Sequence, residues 1–416
     1  MSNPREIAVL TLHQIIYPDT PKTNISDSEQ GVAFIKMLNQ TSLRNYVSSL
    51  KIINRFIERK VQKKHLITQT ILICAISEML FMDSPVYAII NSYVEIAKKH
   101  CGKHMGGFVN AILRKINQNY ASIQQSYQQQ FFPKSFLQII EKDYNKETIS
   151  RIEKASLQEP PLNITVKNSA PNWAEKLSGT YIDANSICLS STGKIENISG
   201  YKEGAWWVQD ISASLAANCF SDIKGKRILD LCAAPGGKTA QLINMGARVT
   251  SLDCSKERLQ TLQQNLQRLQ LECEKIICCD VIEYLQNFSE EPFDGILLDA
   301  PCSATGIFRR HPEIVHIKTI NDVKKQANLQ KNILERISPA LKSGGELIYC
   351  TCSIAKAEGE TQILDFIANH KFRIEPLSSQ IEPQSITNDG FIRTLPYHYK
   401  QYGGCDAFFI AKLIKE

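Results

Sequence analysis

The sequence predicts a multidomain protein: an all-helical N-terminal domain, a small α+β module, and a C-terminal α/β domain on a doubly wound parallel sheet. Three observations predict this organisation. The length of 416 residues is more than one compact core usually organises. Apolar residues recur at helical spacing over residues 1–130. From residue 206 onward, short apolar runs alternate with helical segments, as in parallel α/β sheets.

The N-terminal domain, residues 1–130, contains six segments with the periodicity of helices. They are Glu6–Ile16, Val32–Leu38, Leu43–Arg59, Leu66–Phe81, Val86–Lys98 and Phe108–Asn117. Pro85 and the glycines between 102 and 107 are expected to separate helices. The glutamine-rich segment 124–130 is interpreted as a linker or the frayed end of a last helix.

The same N-terminal third carries the positive charge of the chain. Residues 1–135 contain 16 Lys and Arg against 8 Asp and Glu, and the remaining residues contain 32 against 34. A local cationic excess suits a partner with a phosphate backbone, so this region is a candidate surface for binding nucleic acid. A solvated helical surface is the alternative interpretation.

Residues 135–205 are predicted to form the small α+β module. Phe136–Leu157 has a helical pattern, which Pro160 and Pro161 end. Leu162–Val166 is a short strand-like run, and Ile182 and Ile187–Leu189 are candidates for further strands.

The C-terminal domain, residues 206–416, shows the alternation of strands and helices. Its predicted strands are Arg227–Leu231, Arg248–Leu252, Lys275–Cys279, Phe293–Leu298 and Glu346–Cys350. Its predicted helices are Thr239–Asn244, Lys256–Leu269 and Val323–Leu341. Phe372–Ile374 and Ala407–Leu413 are expected to add late strands, the last of them antiparallel.

Composition excludes several classes of protein. The N-terminus lacks the pattern of a signal peptide, and the most apolar run, Leu66–Met82, contains Gln69 and Glu78, so no membrane segment is expected. The 13 cysteines are odd in number and form no paired Cys-x-x-Cys motifs, which argues against disulfides and against a metal site. We expect a cytoplasmic protein, and nothing in the sequence requires an oligomer, so a monomer is expected.

A glycine turn between a predicted strand and a predicted helix is the first candidate binding site. It reads Cys232-Ala233-Ala234-Pro235-Gly236-Gly237-Lys238. Glycines let a backbone approach a ligand closely, and a helix start offers free N–H groups. Cys232 stands where a P-loop needs its first glycine, and the dinucleotide fingerprint Gly-x-Gly-x-x-Gly is absent. An adenosine-type ligand remains as the interpretation.

Two acids at the ends of the next strands are candidates to hold that ligand. Asp253 ends the second predicted strand, and a carboxylate can accept hydrogen bonds from both ribose hydroxyls. Asp280 follows the third predicted strand and is placed to reach the adenine. The alternative for either residue is a helix N-cap.

Two cysteines follow predicted strands and are therefore expected at one crevice. Cys302 lies in Asp299-Ala-Pro-Cys-Ser-Ala-Thr-Gly306, and Cys352 follows Tyr349-Cys-Thr. Parallel α/β sheets present their chemistry at the carboxyl ends of strands. Few reactions need two sulfurs there, and methylation at C5 of a pyrimidine through a covalent adduct is one. Asp299 is a candidate acid near N3 of the ring, and two buried structural cysteines are the alternative.

A basic run follows the Cys302 loop. Arg309, Arg310 and His311 are expected on the rim of the same crevice, where arginines can clamp phosphates. A solvated turn is the alternative interpretation.

With these residues in place, the chain resembles the RNA 5-methylcytosine methyltransferases, more narrowly the bacterial ribosomal RNA small subunit methyltransferase B group, also called the Fmu or Sun family. The loop from Cys232 to Lys238 matches the family's S-adenosylmethionine motif, and Asp253, Asp280 and Asp299 match its further cofactor-side acids. Residues 1–130 are similar to the helical RNA-binding protein NusB. The resemblance runs nearly end to end.

The resemblance implies a Rossmann-like catalytic domain that uses S-adenosylmethionine to methylate C5 of a cytosine in 16S ribosomal RNA, free or in an early assembly particle. It also implies that Cys352 attacks C6, that Cys302 assists product release and that residues 135–205 contact RNA. Thr165-Val166-Lys167 departs from the family's Arg-x-Asn, a contact that Lys167 is a candidate to replace, and Gly359 stands where Asn is common.

Two other functions remain open on the sequence alone. The core motifs are shared with enzymes that methylate cytosine C5 in transfer RNA. A non-catalytic RNA-binding assembly factor is the other alternative, although such a factor is expected to have lost Cys352, Asp299 or the glycine loop, and all three are present.

Overall fold

The computed structural model describes residues 3–20, 31–57, 65–127, 129–183, 185–189, 193–377 and 382–416. The chain forms two compact units. The first comprises Met1–Leu137 together with His311–Ile317, and the second comprises Gln138–Arg310 and Lys318–Glu416. Among the helices in the described ranges, none combines the length and apolar character that crossing a membrane requires.

The described ranges contain α-helices that we number in chain order. They are α1 Pro4–Ile16, α2 Val32–Arg44, α3 Tyr46–Phe56, α4 Leu66–Phe81, α5 Val86–Cys101, α6 Lys103–Gln118, α7 Tyr120–Ser126, α8 Lys134–Ile140, α9 Lys146–Ser156, α10 Ala170–Lys176, α11 Ile211–Asn218, α12 Gly237–Asn244, α13 Lys256–Leu269, α14 Val281–Gln286, α15 Ile314–Ile317, α16 Ile320–Leu334 and α17 Glu360–Asn369.

The strands are numbered in the same way. They are β1 Leu162–Val166, β2 Thr180–Tyr181, β3 Ser186–Leu189, β4 Trp206–Val208, β5 Arg227–Leu231, β6 Arg248–Asp253, β7 Lys275–Cys278, β8 Phe293–Asp299, β9 Leu341–Thr351, β10 Phe372–Ile374, β11 Ile392–Thr394 and β12 Phe408–Lys415.

The first unit is helical, as the apolar periodicity predicts. Its central helix is α4. This helix is apolar on nearly every side, and it is therefore buried along most of its length. Glu78 on this helix is fully buried, and Arg5 and the Tyr93 hydroxyl bind its carboxylate. His316 belongs to the same unit, because its Nε2 lies 2.9 Å from the Leu43 carbonyl oxygen.

Helix boundaries differ from the prediction at several places. The predicted helix Leu43–Arg59 is divided between α2 and α3 at Asn45, and its predicted end at Arg59 lies outside the described residues. Gly102, with φ of +91°, is the break between α5 and α6, whereas Gly106 and Gly107 are helical. The predicted helix Phe136–Leu157 consists of two helices, α8 and α9, because a turn at 141–145 separates them.

The small α+β module contains a four-stranded antiparallel sheet in the order β2-β3-β1-β4. Strand β4 pairs with β1 through Ile164 and Val208. The sheet therefore extends past the boundary at residue 205 that the sequence pattern suggests. Trp206 on β4 is fully buried and donates its indole N–H to the Ser199 carbonyl oxygen at 2.9 Å.

The large sheet has the order β10-β12-β9-β8-β5-β6-β7, with β11 paired to β12. Strands β5 to β9 pair in parallel, and β12 joins β9 in the antiparallel direction, as predicted for the last strand. The predicted helix Val323–Leu341 ends earlier, because α16 stops at Leu334 and Leu341 begins β9. Strand order reverses at β5, which lies between β6 and β8, and ligands bind at such switch points.

Candidate active site

A cavity of about 450 Å³ opens at the carboxyl ends of the central strands. This volume falls within the range of small-molecule sites. Its walls include the first residue of the glycine loop, the three predicted acids and both predicted active-site cysteines: Cys232, Asp253, Asp280, Asp299, Cys302 and Cys352. The structure thus brings together residues that span more than a hundred positions in sequence.

The glycine loop connects β5 to α12 in an unusual backbone conformation. Cys232 has φ of +61°, and Gly236 has φ of +100° at the N-cap of α12. Ala233 N–H donates to the Leu252 carbonyl oxygen at 3.0 Å, and Asn265 Nδ2 donates to the Pro235 carbonyl oxygen at 3.0 Å. These bonds hold the loop against β6 and α13, so its shape is fixed by the protein itself.

Gly236 and Gly237 are adjacent but differ in the room that each leaves for a side chain. Alanine substitutions at the two positions therefore form a matched pair. A Cβ on Gly236 would lie 2.9 Å from Leu262 Cγ at a positive φ, whereas a Cβ on Gly237 meets nothing closer than 3.9 Å. We expect Gly236→Ala to lower the free energy of unfolding by about 1–3 kcal/mol. Gly237→Ala is the control, and chemical denaturation measures both. Equal stability of the two variants would contradict this account of the loop.

Asp253 lies at the wall of the cavity and does not cap a helix. It is 2% exposed, its Oδ2 accepts from the Ala234 N–H at 3.2 Å, and its Oδ1 accepts from the Ser255 N–H at 3.0 Å. Ser255, rather than Asp253, caps α13. The Asp253 carboxylate therefore joins the end of β6 to the glycine loop at the wall of the cavity.

Asp280 lies at the same cavity, and its observed contacts are those of a helix N-cap, the alternative interpretation. Its Oδ1 accepts from the Ile282 N–H at 2.9 Å and the Glu283 N–H at 3.2 Å, so it is the N-cap of α14. Both bonds go to one carboxylate oxygen. A role for Asp280 in binding the cofactor is compatible with capping and stays a proposal.

Lys238 binds Asp299, a partnership that the sequence did not indicate. The Lys238 ammonium lies 2.7 Å from Asp299 Oδ2, and the Cys350 thiol lies 3.6 Å from Asp299 Oδ1. Burial alone would lower the pKa of Lys238, but the Asp299 carboxylate together with Cys350 and Cys352 outweighs burial, and the pKa is raised. Lys238 therefore stays charged and holds the predicted acid in place at the cavity.

The sulfurs of Cys302 and Cys352 lie 3.4 Å apart. The hydrogen bond to Cys352, burial and the charge of Cys352 raise the pKa of Cys302 well above its ordinary value. Two thiolates at this distance would repel each other, so the pair disfavours the loss of both protons. We therefore expect one sulfur of the pair to act as the nucleophile, and the thiolate is the reactive form.

Arg309 and Arg310 do not lie free on a rim, which corrects the expectation that they clamp phosphates. Arg310 binds Asp210 at 2.7 Å and Asp406 at 3.3 Å, and the first pair anchors the start of α11. Arg309 is 1% exposed and donates to the Gly403 carbonyl oxygen at 2.5 Å. Both guanidinium groups serve the packing of the fold.

The residues that depart from the family pattern have structural partners. Thr165 is buried, and its hydroxyl lies 2.8 Å from Gln209 Oε1. Lys167 donates to the Leu269 carbonyl oxygen, so its ammonium is engaged within the protein. A Cβ on Gly359 would lie 2.4 Å from Arg393 Nη2, which explains why this position is glycine here.

Asp230 on β5 is expected to make the stability of the protein depend on pH. Burial raises the pKa of Asp230 to about 7 from its ordinary 3.8, and the charges of Asp299 and Asp253 add to this effect. The folded protein then binds more protons than the unfolded chain between these two values. The contribution of Asp230 to the free energy of unfolding should therefore fall as pH rises from about 4 to about 7, by at most about 1.4 kcal/mol per pH unit.

Asp230→Asn tests this dependence, since an amide does not titrate. Denaturation at several pH values should show a smaller decline between pH 4 and 7 in the variant than in the wild type. Asp365→Asn, at an exposed position, is the control. A variant that loses stability across this window as steeply as the wild type would contradict the assignment to Asp230.

The sequence of the chain is similar to known methyltransferases along nearly its whole length. Residues 219–414 match the family model of 16S rRNA methyltransferase RsmB/F, and residues 2–118 match that of the NusB family. A ribosomal RNA small subunit methyltransferase B from Erwinia tasmaniensis is 30% identical over 438 aligned positions, which cover 100% of this chain and 99% of the relative. One from Vibrio cholerae is 32% identical, over 74% of this chain and 75% of the relative.

A solved structure shares the fold of most of the chain. It is the methyltransferase homolog protein from Pyrococcus horikoshii, which is 25% identical and superposes with a TM-score of 0.56 over 68% of this chain and 100% of that chain. The whole-chain relatives and the two family models confirm the predicted helical and Rossmann-like domains and the use of S-adenosylmethionine. The chain belongs to the ribosomal RNA small subunit methyltransferase B family.

Proposed function

We propose that the protein transfers a methyl group to C5 of a specific cytosine in 16S ribosomal RNA through a covalent bond between a cysteine sulfur and C6. The observation that carries this proposal is the pair of sulfurs at 3.4 Å in the wall of the cavity that Asp253 also lines. A methyltransferase that acts on oxygen or nitrogen needs no cysteine pair. Carbon C5 of cytosine is a poor nucleophile until a thiolate adds to C6.

S-adenosylmethionine supplies an electrophilic methyl group when it is bound. The buried Asp253 carboxylate fits the ribose hydroxyls, and the loop from Cys232 to Lys238 fits a ligand that approaches backbone closely. Asp280 lies at the same wall and is assigned to the adenine side. These residues bind and orient the cofactor beside the two sulfurs.

Cys352 is assigned as the nucleophile and Cys302 as the residue that assists release. The Cys352 thiolate adds to C6, and the electrons of the C5–C6 double bond make C5 able to take the methyl group. The C5 proton then passes to the Cys302 sulfur, the double bond re-forms, and the bond between Cys352 and C6 breaks. Cys302 can accept this proton only as a thiolate, so its own thiol proton must first pass to solvent; the raised pKa then makes that thiolate strongly basic.

Asp299 is assigned to the N3 side of the ring. A carboxylate beside N3 favours the protonated ring nitrogen, and protonation there makes C6 more electrophilic. The contact of 2.7 Å with Lys238 fixes the carboxylate at the cavity. Because the ring must enter this cavity, the target cytosine is unpaired or flipped out of its stack.

The substrate assignment rests on the NusB-like region together with the family. Residues 2–118 match the NusB family, and the N-terminal third of the chain is basic, which suits ribosomal RNA, free or in an early assembly particle. Residues 135–205 are assigned to RNA contact as well. We further propose that the protein acts as a monomer in the cytoplasm.

Transfer of labelled methyl groups from S-adenosylmethionine tests the proposal. Small-subunit ribosomal RNA from cells that lack the activity, both naked and in partly assembled particles, is compared with transfer RNA, and nuclease mapping locates the product. Label at one ribosomal cytosine is expected. Label in transfer RNA alone would overturn the substrate, and no label in any RNA would favour a non-catalytic assembly factor.

A further inference from the structure

Glu358 is a fully buried glutamate next to both cysteine loops, and no sequence motif pointed to it. It follows Cys352 by six positions, in the short segment between β9 and α17. An acid in such a segment normally faces solvent. Burying a carboxylate is costly unless hydrogen bonds compensate it, so its partners indicate why it is inside.

Each oxygen of the Glu358 carboxylate binds a residue that directly follows a cysteine. Its Oε1 accepts from the Ser303 N–H at 2.8 Å, and its Oε2 lies 2.5 Å from the Ser303 hydroxyl. The same Oε2 lies 2.5 Å from the Ser353 hydroxyl. Ser303 follows Cys302 and Ser353 follows Cys352, so one carboxylate joins the two loops.

Further hydrogen bonds complete this network around Glu358. The Thr305 hydroxyl lies 2.9 Å from that of Ser303 and 3.0 Å from that of Ser353. Gln330 on α16 donates to Glu358 Oε1 at 3.1 Å and to the Pro301 carbonyl oxygen at 2.9 Å. The network therefore ties both cysteine loops to a rigid helix, which is how precise sites are supported.

The cysteine loops also meet through their backbones. Gly306 N–H donates to the Cys352 carbonyl oxygen at 2.9 Å, and a Cβ on Gly306 would lie 2.0 Å from the Ala407 carbonyl oxygen. Arg393 Nη1 donates to the Ser353 carbonyl oxygen at 2.6 Å. These contacts place the Cys352 backbone, whereas the Glu358 carboxylate, together with the Thr305 hydroxyl, binds the residues after both cysteines.

We propose that Glu358 is a positioning residue that sets the separation of the Cys302 and Cys352 sulfurs by binding the serine after each of them. Its carboxylate bonds to neither sulfur, so it acts through Ser303 and Ser353. That this separation serves methyl transfer rests on the proposed function. The separation itself can be measured without RNA.

The test compares four variants with the wild type. Glu358→Ala removes every bond to the carboxylate, and Glu358→Gln keeps its shape and one oxygen acceptor. The double variant Ser303→Ala with Ser353→Ala leaves Glu358 but removes the two hydroxyls. Glu346→Gln is the matched control, since Glu346 lies toward the other end of β9 and binds Ser221 and Lys412.

The first measurement is the rate at which Cys302 and Cys352 form a disulfide under the oxidant diamide, which takes two electrons and two protons from the thiols and becomes the hydrazine. Peptide mass spectrometry identifies the pair. We expect the wild type and Glu346→Gln to react equally fast, Glu358→Ala to react about tenfold more slowly or worse, and Glu358→Gln to recover most of the rate.

The second measurement is methyl transfer at saturating S-adenosylmethionine together with the cofactor's dissociation constant. We expect the kcat of Glu358→Ala to fall by about tenfold to a hundredfold while cofactor affinity is kept, with partial rescue in Glu358→Gln. A general loss of folding would instead lower both the kcat and the affinity for the cofactor. Circular dichroism and thermal unfolding confirm that each variant is folded before it is compared.

Wild-type disulfide rates in folded Glu358→Ala would overturn the inference. If that variant does not fold, the serine double variant decides: a slowed rate supports the inference, and a wild-type rate overturns it. Failure of the proposed function has a different signature, because the wild type would then transfer no methyl group while the disulfide rates still report on Glu358.

Discussion

Cys352→Ala is expected to abolish methyl transfer, by on the order of 10⁴-fold or more, while S-adenosylmethionine still binds. Without the sulfur no bond to C6 can form, so C5 stays unreactive. The cofactor side of the cavity is built by Asp253 and the glycine loop, which the substitution does not touch. Methyl transfer assays measure the first effect, and isothermal titration calorimetry measures the second.

Cys219→Ala is the matched control for this prediction. Cys219 is another free cysteine of the same domain; it is buried, and its sulfur lies 3.1 Å from the Leu215 carbonyl oxygen, at the end of α11. Its loss should leave the activity of folded protein within about twofold of the wild type. Residual activity of Cys352→Ala near the wild-type level would show that another group attacks C6.

Cys302→Ala is expected to trap the protein covalently on its RNA. The nucleophile is intact, so the bond to C6 forms and the methyl group is transferred, but the group assigned to accept the C5 proton is missing. We expect turnover to fall by about 10²- to 10⁴-fold. A protein–RNA band that survives denaturing electrophoresis reports the trapped species.

The double variant Cys302→Ala with Cys352→Ala is the control for that band and should give none. Normal turnover of Cys302→Ala without a stable band would assign proton removal to another group. A band that persists in the double variant would show that the covalent bond does not involve Cys352.

Much of the architecture could be predicted from residue patterns. The helices Leu66–Phe81 and Lys256–Leu269 and the strand Arg227–Leu231 have the predicted bounds, because apolar periodicity and local end signals determine such elements. The shared location of Cys232, Asp253, Asp299, Cys302 and Cys352 also followed, since parallel strands end at one edge of a sheet.

Partners that are distant in the sequence could not be predicted in this way. The pair Lys238–Asp299 joins two loops. Arg310, which was expected at the surface, instead pairs with Asp210 and Asp406. No sequence motif indicated that Glu358 is buried beside the two cysteine loops either. Periodicity reports which face of an element is buried, but it does not report which buried polar groups satisfy one another.

The central claim is that Cys352, and not Cys302, bonds to the cytosine ring. Small-subunit RNA made with 5-fluorocytidine tests it most directly, because fluorine at C5 cannot leave as a proton does and the adduct is trapped after methyl transfer. Mass spectrometry of the digested wild-type adduct should find a methylated fluorocytosine on the Cys352 peptide. The same mass on the Cys302 peptide would contradict the account.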